Sequence, residues 1–193
     1  NGILFTQYDN KLNIVATDGY RLAFKEAELP KGLDDFSVII PNKTITELNR
    51  VLSLKSPKDT VKVTISKSQI SFELEKLVFI SRLIQGQFPE YQQVIPKTNQ
   101  FTYGIDRGSL LSALDRAAII AAASNNVIRF YFSEDNLMIT ANAKGLGEFK
   151  EELAVTTIKG KGNPKISFNV RLLIDLVRSS QSDILEFHLN DEL

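Results

Sequence analysis

The sequence has no cysteine and no tryptophan, and only one histidine and one methionine in 193 residues. Without cysteine there are no disulfides, thiolate metal sites or cysteine nucleophiles, and the composition fits a reducing compartment, so a cytoplasmic location is expected. With His188 alone, a cluster of histidine ligands is impossible, and a Ser-His-Asp triad would have to run through that residue. His188 alternates with Phe187 and Leu189 in a strand-like stretch, which points to a structural role. Long apolar runs are missing too. The longest, 117–123 with Ile119 and Ile120 inside it, falls far short of the roughly 20 residues of a membrane span. Nor is there an excess of charge: 23 Lys+Arg face 23 Asp+Glu. That balance argues against a protein held to nucleic acid by bulk charge. No signal-like segment opens the chain, and it begins on Asn1 rather than Met, so translation is expected to start upstream.

What is present is ordinary for a globular chain: 43% hydrophobic and 24% charged residues, enough for one or two domains. Short β-rich segments dominate. Strands are expected at 3–8, 12–17, 21–25, 36–40, 61–66, 69–74, 77–83 and 101–105, then at 127–132, 137–141, 147–155, 166–168 and 184–189. An Asp9-Asn10 turn joins the first pair. Three segments have helical period. The first, 42–52, aligns Ile45, Leu48 and Leu52; the second, 107–123, aligns Leu110, Leu114, Ala117 and Ala121 behind an Asp106 N-cap; the third, 170–180, aligns Val170, Leu173, Leu176 and Val177. Few, widely spaced helices among many strands define an α+β class with mostly antiparallel sheet.

The sequence also matches itself. Phe36–Ile40, Lys43, Glu47, Leu48 and Arg50 correspond to Ile166–Phe168, Arg171, Asp175, Leu176 and Arg178 at an offset of 128. Phe5, Asn10, Leu12, Ile14 and Ala16 correspond to Phe130, Asp135, Leu137, Ile139 and Ala141 at an offset of 125. The repeat is therefore domain-sized, and the chain holds about one and a half copies. Helix 107–123 has no counterpart in the first copy, and the strands after the first copy's helix have none after the second's. A piece cut inside one domain and again inside the next is expected, with unpaired sheet edges.

The repeat-matched helices carry basic residues seven apart, Lys43 with Arg50 and Arg171 with Arg178, and Ser109 with Arg116 repeats the spacing. Each helix sums to +1, so the remainder of the chain sums to −3. A solvated helix face explains two such residues. The repetition in both copies favours a mildly positive surface for phosphates that reads no bases. None of these helices has the aromatic interleaving of a single-strand stacking platform. Gly145-Leu146-Gly147 opens no helix, the sequon 42–44 lacks a secretion signal, and the pairs Glu26/Glu28 and Glu151/Glu152 read as surface charge. No catalytic constellation emerges, and no metal or cofactor is expected.

Two stretches stand apart. Ala16-Thr17-Asp18-Gly19-Tyr20-Arg21-Leu22-Ala23 reads as strand, tight Asp-Gly turn, strand. Segment 83–96, Leu-Ile-Gln-Gly-Gln-Phe-Pro-Glu-Tyr-Gln-Gln-Val-Ile-Pro, has the punctuation of an inter-domain connector but carries Phe88 and Tyr91. Those aromatics either anchor the connector onto a domain or line a shallow apolar pocket. In these stretches, and in Phe168-Asn169-Val170, the sequence resembles the bacterial DNA sliding clamp family, the beta subunit of DNA polymerase III, over essentially its whole length.

The resemblance implies repeated clamp domains, with antiparallel sheets outside and helices lining a hole around duplex DNA. Residues 1–97 would be most of the second domain with the connector, and 98–193 most of the third. A non-catalytic processivity factor is implied. It would tether the polymerase III catalytic subunit, the clamp loader, other polymerases and repair proteins through short linear motifs. By resemblance the partner-peptide pocket comprises Thr17, Gly19, Tyr20, Arg21, Leu22, Pro89, Gln93, Val94 and Asn169. The family commonly has His where Tyr20 stands and Arg where Gln93 stands. Lys43, Arg50, Arg116, Arg171 and Arg178 would face DNA, and Ile119 and Ile120 would contribute to a homodimer interface. By pattern alone, the two isoleucines equally suit the core of an Ala-rich helix. Two other readings remain: a peptide-binding module without a DNA role, and an α+β enzyme using carboxylates such as Asp18 beside Tyr20 and Arg21.

Overall fold

The computed structural model describes residues 2–53, 60–75 and 77–190. They form fourteen strands and three α-helices in two compact units, Asn1–Val94 and Ile95–Leu193. No helix among the described residues is long and apolar enough to cross a membrane.

In the first unit, β1 (Gly2–Tyr8), β2 (Lys11–Thr17), β3 (Leu22–Glu28) and β4 (Phe36–Pro41) form an antiparallel sheet ordered β3-β2-β1-β4. Asp9 and Asn10 take φ of 49° and 61° between β1 and β2, the left-handed pair that a two-residue hairpin turn requires. Helix α1 (Asn42–Leu52) follows β4 directly. A second antiparallel sheet, β5 (Lys62–Ile65), β6 (Gln69–Leu74) and β7 (Leu77–Arg82), meets the first where Ile84 N–H donates to the Ile39 carbonyl at 2.8 Å. Alternation places Phe5 and Val38 on the inner face of the first sheet, against α1. There Ile40, Leu48, Ile70, Phe72 and Leu74 are buried, and the Thr44 and Ser81 hydroxyls, 2.7 Å apart, tie α1 to β7.

The second unit begins with β8 (Phe101–Asp106), flanked by β12 (Thr156–Lys159) and β14 (Ile184–Leu189) in one sheet. Helix α2 (Arg107–Ala121) starts on Asp106, whose carboxylate accepts from the Ser109 N–H at 2.7 Å. The other sheet is β11-β10-β9-β13, from β9 (Val127–Phe132), β10 (Asn136–Ala143), β11 (Gly147–Ala154) and β13 (Lys165–Asn169), with α3 (Val170–Ser179) after β13. Its order matches the first unit's, and so does its register. Phe5 pairs with Ile14 and Val38, and Phe130 pairs with Ile139 and Ile166. The residues 125 and 128 positions apart in sequence thus occupy the same places. The extra three residues enter in two steps: Ile14 faces Lys25 while Ile139 faces Glu151, an offset of 126, and the rest comes before β13.

One continuous core fills the second unit. Leu110, Ala113, Leu114, Ala117 and Ala121 of α2 and Val170, Leu173, Ile174 and Val177 of α3 close over Phe130, Leu137 and Ile139. Tyr103 and Phe132 stack with ring centroids 4.5 Å apart.

Three expectations need correction. Leu176 does not join the buried stripe of α3; it is 50% exposed and Ile174 takes its place. At about 100° per residue, Ile174 lies nearer the middle of the arc held by Val170, Leu173 and Val177. Leu52 is likewise exposed on α1, where Thr44 and Leu48 are the buried residues. The strand expected at 147–155 ends at Ala154, and a further strand that was not expected, β12, follows it, because Val155 turns inward and the chain changes sheets there, β11 pairing with β10 and β12 with β8.

Candidate functional site

The outer face of the first unit's sheet is built by the residues that alternate with Phe5 and Val38. One cross-strand row holds Phe24, Val15, Leu4 and Ile39, in strand order. Such a row is an apolar face needing cover, and the segment after β7 supplies it. Residues 85–94 run back over the sheet as a strap. Tyr91, in a single 3-10 turn, is buried against Leu4 and Val15, with Leu22, Ile39 and Phe88 packed around them. Tyr91 stacks on Phe24 at 6.1 Å and meets Phe88 edge-on at 6.5 Å. The connector aromatics are therefore anchors, and Tyr91 and Phe24 are site residues that motif matching did not select. An aromatic in a Gly/Pro-punctuated connector was the available signal for Tyr91. Phe24 had none, since its role depends on strand register.

At the edge of this cluster, β2 and β3 are joined by a four-residue loop, 18–21, longer than the two-residue Asp-Gly turn the sequence suggests. Thr17 pairs with Leu22, and the loop folds on its own side chains. The Asp18 carboxylate accepts from the Tyr20 and Arg21 N–H groups, each at 3.0 Å, and from Arg21 Nε at 3.1 Å. Thr17 Oγ1 donates to the Arg21 carbonyl at 2.8 Å and accepts from the Gly19 N–H at 3.2 Å. Gly19 sits at φ 89°, which any side chain would strain. The two backbone donors and Arg21 hold the Asp18 carboxyl below the usual aspartate range. This closed loop presents Tyr20 outward, 90% exposed.

The strap places the other residues. Gln93 N–H donates to the Glu90 carbonyl at 3.3 Å and Val94 N–H to the Tyr91 carbonyl at 3.1 Å, leaving Pro89, Gln93 and Val94 exposed. Leu22 and the strap aromatics are thus brought into one cluster, and Thr17, Gly19 and Arg21 into one hydrogen-bonded loop. Asn169 belongs to the second unit. Its Oδ1 accepts from the Arg171 and Leu172 N–H groups at 3.0 and 3.4 Å, so it is the N-cap of α3.

The five helix cations divide into two sets. Lys43, Arg50 and Arg171 are exposed, and no carboxylate among the described residues pairs with them. Arg116 is held by the Glu151 carboxylate, with Nε at 2.8 Å, and Arg178 reaches Asp115 of α2 at 2.9 Å. Both pairs lie at the surface, where such contacts are weak and salt-sensitive. The Arg116 hydrogen bond lowers the Glu151 pKa. Ser109 does not continue the cationic spacing in function, because its N–H and hydroxyl both bind the capping Asp106. On α2, Ile119 is 70% exposed while Ile120 packs partly against the core. Among the described residues no three His, Asp or Glu side chains gather as a metal site.

The fold and site define a duplicated sheet-and-helix scaffold with helix faces bearing cations and one sheet face strapped by a connector. The central domain of the DNA polymerase III beta subunit matches residues 1–90, and that subunit's C-terminal domain matches residues 92–193. The chain belongs to the DNA polymerase III beta subunit, or beta sliding clamp, family. The beta sliding clamp of Staphylococcus epidermidis is 31% identical over 186 residues, covering 96% of this chain and 48% of that protein. The Pseudomonas aeruginosa DNA polymerase sliding clamp superposes with a TM-score of 0.89 at 33% identity, over 99% of this chain and 52% of that one. The sliding clamp of Bartonella birtlesii, in a structure bound to griselimycin, gives 0.89 at 36% identity, over 99% and 52%. The chain spans about half the length of these relatives.

Proposed function

We propose that this chain is part of a non-catalytic processivity factor, a ring that encloses duplex DNA and tethers the replicative polymerase. The observation that carries the reading is the duplication. One sheet order and one register occur twice, in stretches that match two successive clamp domains. In this reading the sheets face outward, and Lys43, Arg50, Arg116, Arg171 and Arg178 meet phosphates without reading bases. Contacts of that kind are weak, and enclosure rather than affinity retains the DNA. A net charge of zero is compatible with such a mechanism.

The partner site is the rim of the strapped face. Leu22, Pro89 and Val94 offer apolar surface to Leu and Phe side chains of a linear motif. Thr17, Gly19, Tyr20 and Arg21 form a pre-organised polar edge, with Gln93 on the strap. The closed 18–21 loop supports this assignment, because a rigid edge costs little entropy on binding. The partners would be the polymerase III catalytic subunit, the clamp loader, and other polymerases and repair proteins, all in the cytoplasm. The exposure of Ile119 supports a place for it and Ile120 in a homodimer interface.

Retention on circular DNA tests the reading. The full-length protein, loaded onto a closed circle, is expected to stay through a high-salt wash and to leave when the circle is cut. Equal loss from both forms would contradict enclosure and leave the peptide-binding module as the better reading.

A further inference from the structure

Resting on the peptide reading above, we infer that the strapped face selects linear motifs carrying lysine or arginine beside their Leu/Phe anchors and disfavours those with an acidic residue there. Alternation along β3 sets the charge. Leu22, Phe24, Glu26 and Glu28 share the outer face, so the strand passes from the apolar anchor surface to two carboxylates. Glu26 heads the next outer row, which continues through Asn13, Thr6 and Ser37 and contains no cation. One row further, Glu28 lies opposite Lys11. The strap adds Glu90, next to the Tyr91 ring that stacks on Phe24, and the 18–21 loop adds Asp18.

Four carboxylates, Asp18, Glu26, Glu28 and Glu90, thus meet two cations on this side of the sheet, and both cations are engaged. Lys11 Nζ lies 2.9 Å from Glu26, and Arg21 Nε lies 3.1 Å from Asp18. Glu28 must share Lys11 with Glu26. Glu90 is exposed on the strap and pairs with no cation among the described residues. Lys25 alternates to the inner face, opposite Ile14. Lys67 reaches the strap at the other edge of the sheet. Its β5–β6 turn meets Leu83, whose N–H donates to the Ser68 carbonyl at 2.9 Å, and the next residue, Ile84, bridges to β4. The β3 side therefore keeps a surplus of negative charge, and the exposed Tyr20 ring adds a face on which a cation can rest. Charges at such a rim choose between partners by attraction and by repulsion, and salt weakens both.

One Leu/Phe-containing peptide is made in three versions, with Lys, Gln or Glu at the residues flanking its anchors. Each is titrated into the full-length protein at low salt and followed by fluorescence anisotropy. Affinity is expected to fall in the order Lys, Gln, Glu, by about threefold per step, the size of one exposed charge or cation–π contact. The spread should narrow as salt rises. Glu28→Gln and Glu90→Gln, both at exposed positions, should each shrink the Lys-to-Glu affinity ratio, and Glu28→Lys combined with Glu90→Lys should invert it. Equal affinity for the three versions, preference for Glu, or a ratio unmoved in the double variant would overturn the selectivity while the peptide site stands. Failure of all three versions to bind would instead refute the peptide reading itself.

Discussion

The two units use one sheet in opposite ways. On the outer face, Leu4, Val15, Phe24 and Ile39 of the first unit occupy the places of Arg129, Thr140, Lys150 and Ser167 in the second. The apolar row attracts the strap, and Tyr91 and Phe88 bury it; the polar row is left to solvent. On the inner face the contrast reverses. Phe130 and Ile139 are fully buried beneath α2 and α3, while the matching Phe5, packed with the α1 cluster, and Ile14 are only half-buried. Backbone order and register fix a scaffold, and a few side chains at alternate positions decide which face of it works.

The comparison can be broken from the inside first. Phe130→Ala should cost the second unit about 3–5 kcal/mol, the range for an aromatic removed from a closed core. Phe5→Ala should cost the first unit clearly less, because its ring already has solvent on one side. Hydrogen exchange measured separately over β9–β10 and β1–β2 reads the two losses, and equal losses would remove the asymmetry.

Exchanging the outer faces is expected to have the next largest effect. Leu4→Arg, which writes the second unit's residue into the first, should release the strap and speed exchange across 85–94. Arg129→Leu should leave the second unit's stability nearly unchanged. Leu22→Ala should then weaken a Leu/Phe-containing polymerase tail peptide by about tenfold, as loss of a buried anchor does, without unfolding the sheet.

The smallest effect concerns acid. The Asp18 carboxyl is depressed by its backbone donors, and that of Asp106 first by the Ser109 hydroxyl and then by the Ser109 N–H. A depressed carboxyl stabilises above its unfolded-state pKa, and this contribution is lost as pH falls through the lower folded value. Peptide affinity in the first unit and α2 stability in the second should both decline only below the ordinary aspartate range. Asp18→Asn should remove the decline in peptide affinity, and Asp106→Asn the decline in α2 stability. Fluorescence anisotropy and circular dichroism against pH check the two.

Much of this was legible in the sequence. The three helix starts at Asn42, Arg107 and Val170 were, because the apolar period begins at each and at α2 coincides with the Asp106 cap, and so was the duplication, because core positions such as Phe5/Phe130 and Ile14/Ile139 keep their type. The candidate loop was visible through Asp18-Gly19. Its true length was not, since the Asp18 carboxylate binds amides two and three residues on, and a motif does not report that. The rotated stripe of α3 was illegible because Leu176 and Ile174 are equally apolar and only packing against α2 and the sheet selects one. The strap's docking surface, and the Asn13-Thr6-Ser37 row beside it, depend on which strands are neighbours. No local pattern contains that information.

The most direct test is hydrogen exchange of the full-length protein with and without the polymerase tail peptide. Protection is expected at 17–24 and 88–94 in the first unit, with the outer face of β9 and β10 in the second unit unchanged. Protection across β9 and β10 instead, or none at the strapped face under saturating peptide, would contradict the assignment of partner binding to that face.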